Sequence, residues 1–536
     1  MQQRLLVSGD EAVALAALDF GIAFGAGYPG TPSTEILEYF SELGGNAEWS
    51  PNEKVAFEVA LGAAYASARA LVTMKHVGLN VAADPLFTAA YTGVNGALIV
   101  VSADDPGMAS SQNEQDNRRY AEAAGLPMLE PSDSQEAYDF FGAAVEISER
   151  WHLPVLFRMT TRVCHSKTIL QRQSDDTAQA PAAAHFEHDR PTLVMVPGNA
   201  RPAHRRLRAK LAEIAAWNET SALNTLIEGG KSLGIVASGV SYVHVREAAP
   251  EAGVLKLGMT YPLPFEKIRA FAGSVARCVV IEEGDPYLVD ALRAHGIAVE
   301  GKAEMYRFGE LDVTRVRRIL DGDLSPEASP LPGKAPELCP GCPHRRVFEI
   351  LRDMDCIVSG DIGCYTLGVL PPFNAMDTCV CMGASIGVGL GLRHVLPEEQ
   401  ARRVVSVIGD STFVHSGLTG LAEMVYNPPK TGHVLLILDN NTTAMTGLQE
   451  HAGTGRTLGG ESTHKLEFEE IARAMGVPNI HTLKGGHTAD DLEELLRQAL
   501  AGNELTLIVV RNPCLLSAKR DSQRAKAQAA QEAEVC

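Results

Sequence analysis

Short apolar runs recur along the first 170 or so positions, separated by longer stretches in which small, apolar and polar residues mix. FGAGYPG, ALVTMKH, GALIVVSA and LPVLFRM are strand-sized, and EVALGAAYASARA between them is helix-like. Strands that are apolar on both faces belong in parallel sheets covered by helices on both sides. The same rhythm returns after Cys339 in CIVSGDIGC, VVSVIGDS, VLLILDNN and TLIVVRNP. Between these regions lie a basic helix, RRLRAKLAEIAAW, and two more strand-then-turn segments, GIVASGVSY and CVVIEEGDP. Two polar stretches, QRQSDDTAQAPAAAH and SPEASPLPGKAPE, read as linkers. The pattern predicts three α/β domains in series, over 1–170, 190–322 and 336–516, followed by a polar tail over 517–536 that reads as a solvated helix.

Composition narrows the function classes. With 45% hydrophobic and 21% charged residues the chain is ordinary globular protein. A formal net charge of −19 would repel nucleic-acid phosphates. No apolar run reaches membrane-spanning length, so no membrane is expected. The start, MQQRLLVSGDEAV, lacks a signal peptide's small-residue cleavage site. Ten scattered cysteines are too few for a disulfide scaffold, and a reducing cytoplasm is expected.

The sharpest chemistry lies in VVSVIGDSTFVHSGLTGLAEMVYNPPKTGHVLLILDNNTTAMTG. This reads as strand, tight turn, helix, strand and an Asn-rich turn. Asp410 and Asn440 fall at the carboxyl ends of apolar strands, where open α/β sheets place their ligands. An acid and an amide there offer hard oxygen ligands suited to Mg²⁺, and the ion would carry a diphosphate, helped by N–H groups of the helix after Ser411. Taken singly, GD and NN are turn chemistry. Together, with 27 residues (412–438) between Ser411 and Asp439, they resemble the thiamine diphosphate motif, in which a second Gly stands where this chain has Ser411. The motif covers Gly409, Asp410 and Ser411 as cofactor-binding positions. Such a cofactor also needs a carboxylate from another domain. Glu53 and Glu58, in NEKVAFEVALGA, are on local grounds ordinary helix-start acids that complement the dipole.

Several separated stretches carry a wider resemblance: GYPGTPSTEI, NEKVAFEVALGA, VTMKHVGLN, SSQNEQDNR, CPGCPHR, SGDIGCYTLG, GDSTFVHSGLTG and LDNNTTAMTGLQEHAGTG. Over about residues 5–515 the chain resembles the α-subunit of indolepyruvate:ferredoxin oxidoreductase, a branch of the thiamine-dependent 2-oxoacid:acceptor oxidoreductases. The resemblance implies three doubly wound parallel-sheet domains: a pyrimidine-binding thiamine domain, a transketolase C-terminal-like domain and a diphosphate-binding thiamine domain. It places Glu53, not Glu58, where the family keeps its cofactor-activating glutamate, and Thr31 where it keeps a substrate-contacting threonine. It puts the metal contacts on Asp410, Asn440 and the main-chain carbonyl of Thr442. SADDPG occupies the neighbourhood of the arginine that pyruvate members use, so the substrate's carboxylate partner stays open. His76 is taken as a catalytic candidate, and Lys75, His344 and His415 as further pocket candidates, although a lone His is more often structural.

CPGCPHR holds a CxxC that can bind a metal, form a redox disulfide or do nothing. A structural zinc site commonly needs two such knuckles, and only one is present. Iron–sulfur clusters also take four thiolates. By resemblance, Cys339, Cys342, Cys364 and Cys514 are the ligands of one 4Fe-4S cluster beside the thiamine. Cys356, Cys379 and Cys381 are left as buried-thiol candidates; Cys164, Cys278 and Cys536 have no motif. The family's usual ferredoxin-like module is not found after Cys514, so electrons are expected to leave through another chain. The reading implies oxidative decarboxylation of a 2-oxoacid, by resemblance an arylpyruvate such as indolepyruvate, with coenzyme A collecting the acyl group. Expected partners are a beta subunit of the γ-type oxidoreductase class and ferredoxin or another electron-accepting subunit, in a heterotetramer or larger. The competing reading is a non-oxidative thiamine decarboxylase or carboligase, which needs no cysteine quartet.

Overall fold

The structure, a computed structural model, describes residues 3–172, 183–327, 336–485 and 489–523. Most of both proposed linkers and the end of the tail fall outside those residues, as does Cys536; the described part of the tail, 517–523, is helical. The chain divides into two compact units, 1–328 and 329–536.

In the first unit a seven-stranded sheet runs in the order Met259–Tyr261, Met128–Leu129, Val155–Thr160, Leu98–Asp104, Ala70–Lys75, Phe24–Gly27, Ala47–Trp49. Six strands are parallel, and Val155–Thr160 and Leu98–Asp104 are buried along their whole length. Their continuous apolar sequences follow from that two-sided burial. Met259–Tyr261 is the exception: it pairs antiparallel with Met128–Leu129. It comes two residues after Ala252–Leu257, a strand of the unit's other main sheet, whose order is Cys278–Ile281, Gly230–Ser238, Ala252–Leu257, Thr225–Ile227. The two sheets are thus stitched by one continuous segment. Gln3–Val7 joins neither, pairing instead with Thr168–Arg172.

Buried charge completes the stitch. Arg158 pairs with Asp104 at 2.6 Å and Glu130 at 3.1 Å. Arg118 reaches Asp116 at 2.6 Å and, from the second sheet, Glu282 at 2.7 Å. Glu130 also accepts hydrogen bonds from Ser238 of the second sheet and from Thr260 in the stitching segment. Buried ions persist only when paired and hydrogen-bonded in this way. One acid is left short: burial pushes Glu283 up to about 7, although the Leu311 N–H and Arg158 pull the other way.

The second unit is one all-parallel sheet in the order Ile357–Ser359, Val404–Gly409, His433–Asp439, Leu505–Arg511, Asn479–Lys484. Alternate residues feed two cores. Val405, Val407, Leu436 and Ile508 pack with helix His344–Asp353. Ile408, Leu435, Ile437 and Val509 pack with helices Ala384–Val395 and Leu418–Tyr426. Helices therefore cover both faces, which is the doubly wound arrangement. No described helix is long and apolar enough to cross a membrane.

Glu283 ordinarily titrates near 4.5 and titrates at about 7 when folded, so the folded chain holds the proton more tightly. Its contribution is full below pH 4.5 and is lost as pH rises toward 7, a loss of up to about 3 kcal/mol. Glu283→Gln, which keeps an acceptor for Leu311, should shrink the fall in urea stability between pH 5 and pH 7.5. Parallel curves for the two proteins would refute this.

Candidate functional site

In the second unit the site is built at two neighbouring strand ends. The strand Val404–Gly409 turns directly into Asp410, with no room at Gly409 for a side chain: a Cβ there would lie 2.6 Å from the Tyr365 ring. Asp410 is buried and its carboxylate accepts the Ser411 N–H at 2.9 Å and the Asn441 N–H at 2.7 Å. Burial alone would raise its pKa, but His451 and these N–H groups outweigh it and hold the carboxyl below its ordinary value. His451 Nδ1 accepts the Gly453 N–H, so the proton sits on Nε2, 3.4 Å from Asp410 Oδ2. Asn440 Oδ1 accepts the Thr442 N–H at 3.1 Å, and Ser411 Oγ meets Thr443 Oγ1 at 2.8 Å. Gly409, Asp410, Ser411, Asn440 and Thr442 thus come together in one buried patch. Its donor set, an ionised carboxylate and amide oxygen beside a helix start, fits a hard cation and the diphosphate it carries.

A second cluster adjoins it. The Cys342 N–H closes a turn on the Cys339 carbonyl at 2.9 Å. Gly341 in that turn has φ +78, and a Cβ there would lie 3.3 Å from Leu515, which neighbours Cys514 in sequence. Cys514 in turn donates its N–H to the Asn440 carbonyl at 3.0 Å. Burial and then the fields of Cys342, Cys514 and Cys339 push the Cys364 thiol up to about 11. The four cysteines are therefore neighbours, yet no three of their sulfurs lie within 4.8 Å of one another. Cys379 and Cys381, expected as buried thiols, are exposed, because they lie in an irregular stretch ahead of helix Ala384–Val395. Cys356 is half-buried, and Cys164 and Cys278 are buried.

Asp361 and His451 are not singled out in the sequence, whereas His344 and His415 are pocket candidates there. Asp361 is buried and accepts N–H groups from Ile362, Gly383 and Ser385 at 2.8, 2.9 and 3.0 Å, which shapes the loop before Cys364. His451 is the Asp410 partner described above. His344, in CPGCPHR, is buried edge-on to Tyr365 with Nδ1 unpartnered. His415 is buried with Nδ1 on Ser416 Oγ at 2.7 Å.

The first unit presents its own set of strand ends. Glu53 opens helix Glu53–Tyr65 and is only 5% exposed, not the surface acid that local pattern suggests. Its carboxyl lies where a Gly78 side chain would be: a Cβ there would sit 2.6 Å from Glu53 Oε1. Glu58 instead faces solvent and pairs with Lys54. The loop holding Thr31 follows Phe24–Gly27, and Gly30 in it packs against Lys75, whose Cβ a Gly30 Cβ would meet at 2.9 Å. Lys75 donates to the Ser110 carbonyl at 2.6 Å, and burial lowers its pKa against the pull of Asp105. His76 is fully buried, with Nε2 on the Asn113 carbonyl at 3.1 Å and Nδ1 unpartnered. Gln115 and Asn117 donate to the His76 carbonyl. These bonds give SSQNEQDNR its reason: it straps the ends of Ala70–Lys75 and Leu98–Asp104.

Both units resemble known proteins. Residues 15–210 match the family model described as pyruvate flavodoxin/ferredoxin oxidoreductase, thiamine diP-bdg. Residues 361–510 match that of the thiamine pyrophosphate enzyme, C-terminal TPP binding domain. In the same fold, a 2-oxoglutarate:ferredoxin oxidoreductase from Magnetococcus marinus superposes with a TM-score of 0.50 at 15% identity, over 60% of this chain and 65% of that one. Fold and site together define a thiamine diphosphate-dependent 2-oxoacid oxidoreductase. The indolepyruvate oxidoreductase subunit IorA of Archaeoglobus fulgidus is 39% identical over 97% of this chain and 88% of its own length. That of Methanothermobacter thermautotrophicus is 39% identical over 99% and 90%. The chain belongs to this IorA family.

Burial pulls His344 down to about 4, and the opposing field of Asp410 does not restore it. Its ring should stay neutral between about pH 5 and pH 8. Histidine NMR shifts compared with a His344→Gln variant should show no titration of this ring in that range. A midpoint above 6 would contradict the burial seen here.

Proposed function

We propose that this chain performs the coenzyme A-dependent oxidative decarboxylation of an arylpyruvate such as indolepyruvate. In this reading residues 1–170 form the pyrimidine-binding domain, 190–322 the transketolase C-terminal-like domain and 336–516 the diphosphate-binding domain. Asp410, the Asn440 side chain and the Thr442 carbonyl would hold Mg²⁺, and Gly409 and Ser411 would border the diphosphate. Bound thiamine diphosphate supplies the electron sink on which a 2-oxoacid can lose CO₂. Glu53 supplies the ring-facing carboxylate, kept in place by the absence of a side chain at Gly78. Thr31 and His76 are the substrate-side candidates, and Lys75, a cation along the Thr31 loop, is suited to the 2-oxoacid's carboxylate. Cys339, Cys342, Cys364 and Cys514 would hold one 4Fe-4S cluster, a one-electron acceptor. The observation that carries this is the Cys514 N–H on the Asn440 carbonyl, which joins the thiol set to the cofactor loop.

The substrate and partners rest on the relatives. The relatives quoted above are named as subunits of indolepyruvate oxidoreductase, which supports a partner subunit; in this reading it is of the γ-type class, in a heterotetramer or larger. The Magnetococcus enzyme was solved with 2-oxoglutarate, coenzyme A and succinyl-CoA, which supports coenzyme A as acyl acceptor. Ferredoxin or another electron-accepting subunit would take the electrons onward. A non-oxidative decarboxylase would use the same Asp410, Asn440 and Glu53 but leave the four thiols without a task.

Purified without oxygen, the protein should carry about four irons and four sulfides per chain. Cys514→Ser should lose the iron and acyl-CoA formation while slow CO₂ release continues. Tightly bound zinc in place of iron would overturn the oxidative reading in favour of the non-oxidative one.

Gly78→Ala tests the glutamate independently. Its methyl must displace the Glu53 carboxyl, and a shift of about 1 Å at a reacting centre can cost about 10²-fold in turnover. Thiamine diphosphate affinity, measured by calorimetry, should change little. Undiminished turnover would remove Glu53 from its assigned role.

A further inference from the structure

A third group of ligand-type side chains meets on the first unit, outside the residues assigned above. Asp10 is the second residue of helix Gly9–Asp19, Glu35 the second of helix Thr34–Glu42, and His165 the last of Thr161–His165. One carboxylate oxygen from each acid and one ring nitrogen of His165 all lie within 4.8 Å of one another. Among the described residues no other such trio of His, Cys, Asp or Glu occurs.

Asp10 is what makes this more than an acidic patch. It is 1% exposed, and neither of its oxygens has a hydrogen-bond partner of ordinary geometry. It does not cap its helix, because Ser8 and Glu11 already satisfy each other in a reciprocal capping box. Its place is fixed by close packing: a Cβ on Gly9 would lie 2.2 Å from the Val163 carbonyl, so the helix start is pressed onto the turn that carries His165. The buried Cys164 thiol and Glu35 are its polar neighbours, and burial and then Glu35 drive its carboxyl well above the usual range, with the thiol pulling the other way. A buried carboxylate is expensive unless it is protonated, paired or bound to a metal.

We propose that Asp10, Glu35 and His165 bind one divalent transition-metal ion of the Mn²⁺, Fe²⁺ or Zn²⁺ kind, with water completing the shell. Two carboxylates and an imidazole suit that class, whereas Mg²⁺ and Ca²⁺ favour oxygen alone. Asp10 anchors the ion from inside. Glu35 and His165, with side chains 52% and 43% exposed, close on it from the solvent side and leave a path of entry. Bound there, the ion ties three elements together: the first helix, the 161–165 turn and the helix that begins three residues after Thr31.

The test uses Mn²⁺ on the intact protein saturated with thiamine diphosphate and Mg²⁺, by equilibrium dialysis with EPR detection. Wild type should retain about one more equivalent than His165→Ala or Glu35→Gln, both of which change half-exposed side chains and should leave the fold intact. Mn²⁺ should also raise the melting temperature of wild type but not of His165→Ala. Equal Mn²⁺ binding by all three proteins would overturn the site and leave a proton shared between Asp10 and Glu35 as its explanation.

Discussion

Asp410 holds two loops at once. One oxygen takes the N–H of Ser411 on its own helix start, and the other takes the N–H of Asn441 beyond the next strand. That pairing fixes the gap between two parallel strand ends, and the rest of the second unit's site is arranged around it. Asn440 is turned by the same loop, and its carbonyl receives the N–H of Cys514. His451 supports the carboxylate from the other side and keeps it ionised in a dry place. A single buried charge thus organises both the oxygen donors of the two loops and the position of one thiol.

The first unit obtains the same kind of order from packing rather than charge. Glu53 can face inward because Gly78 leaves it space, and the Thr31 loop can approach Lys75 because Gly30 does. Two glycines are spent on bringing backbone close to functional side chains, which is one of the uses for which a missing Cβ is retained. Behind these loops the paired Arg118 and Arg158 lock the two sheets, so the strand ends do not drift. Rigid elements under mobile chemistry are what a site needs to hold reacting groups to a fraction of an ångström.

The cysteine set shows how far a motif can be read and where it stops. CxxC announces a metal or redox role but not which one. What the fold adds is the attachment of Cys514 to the Asn440 loop, which sets the thiols beside the Asp410 site.

Much of the architecture was legible in the sequence. Apolar runs of strand length, separated by helical stretches, can only be buried on both faces, and that demands parallel sheets covered by helices. The position of Asp410 and Asn440 at neighbouring strand ends was legible too, because the apolar runs before them mark where the strands stop. Other features depended on which distant segments meet. Glu53 and Glu58 look alike in local pattern; the resemblance prefers Glu53, and the fold buries it against Gly78 while Glu58 stays exposed. Cys379 and Cys381 read as core thiols but lie at the surface. Met259–Tyr261 falls inside the predicted 190–322 domain yet pairs with Met128–Leu129 of the first. His451, Asp361 and the Asp10–Glu35–His165 group carry no local signature at all. Periodicity reports which face of an element is buried, whereas these features follow from contacts between residues tens to hundreds of positions apart, which only the folded chain brings together.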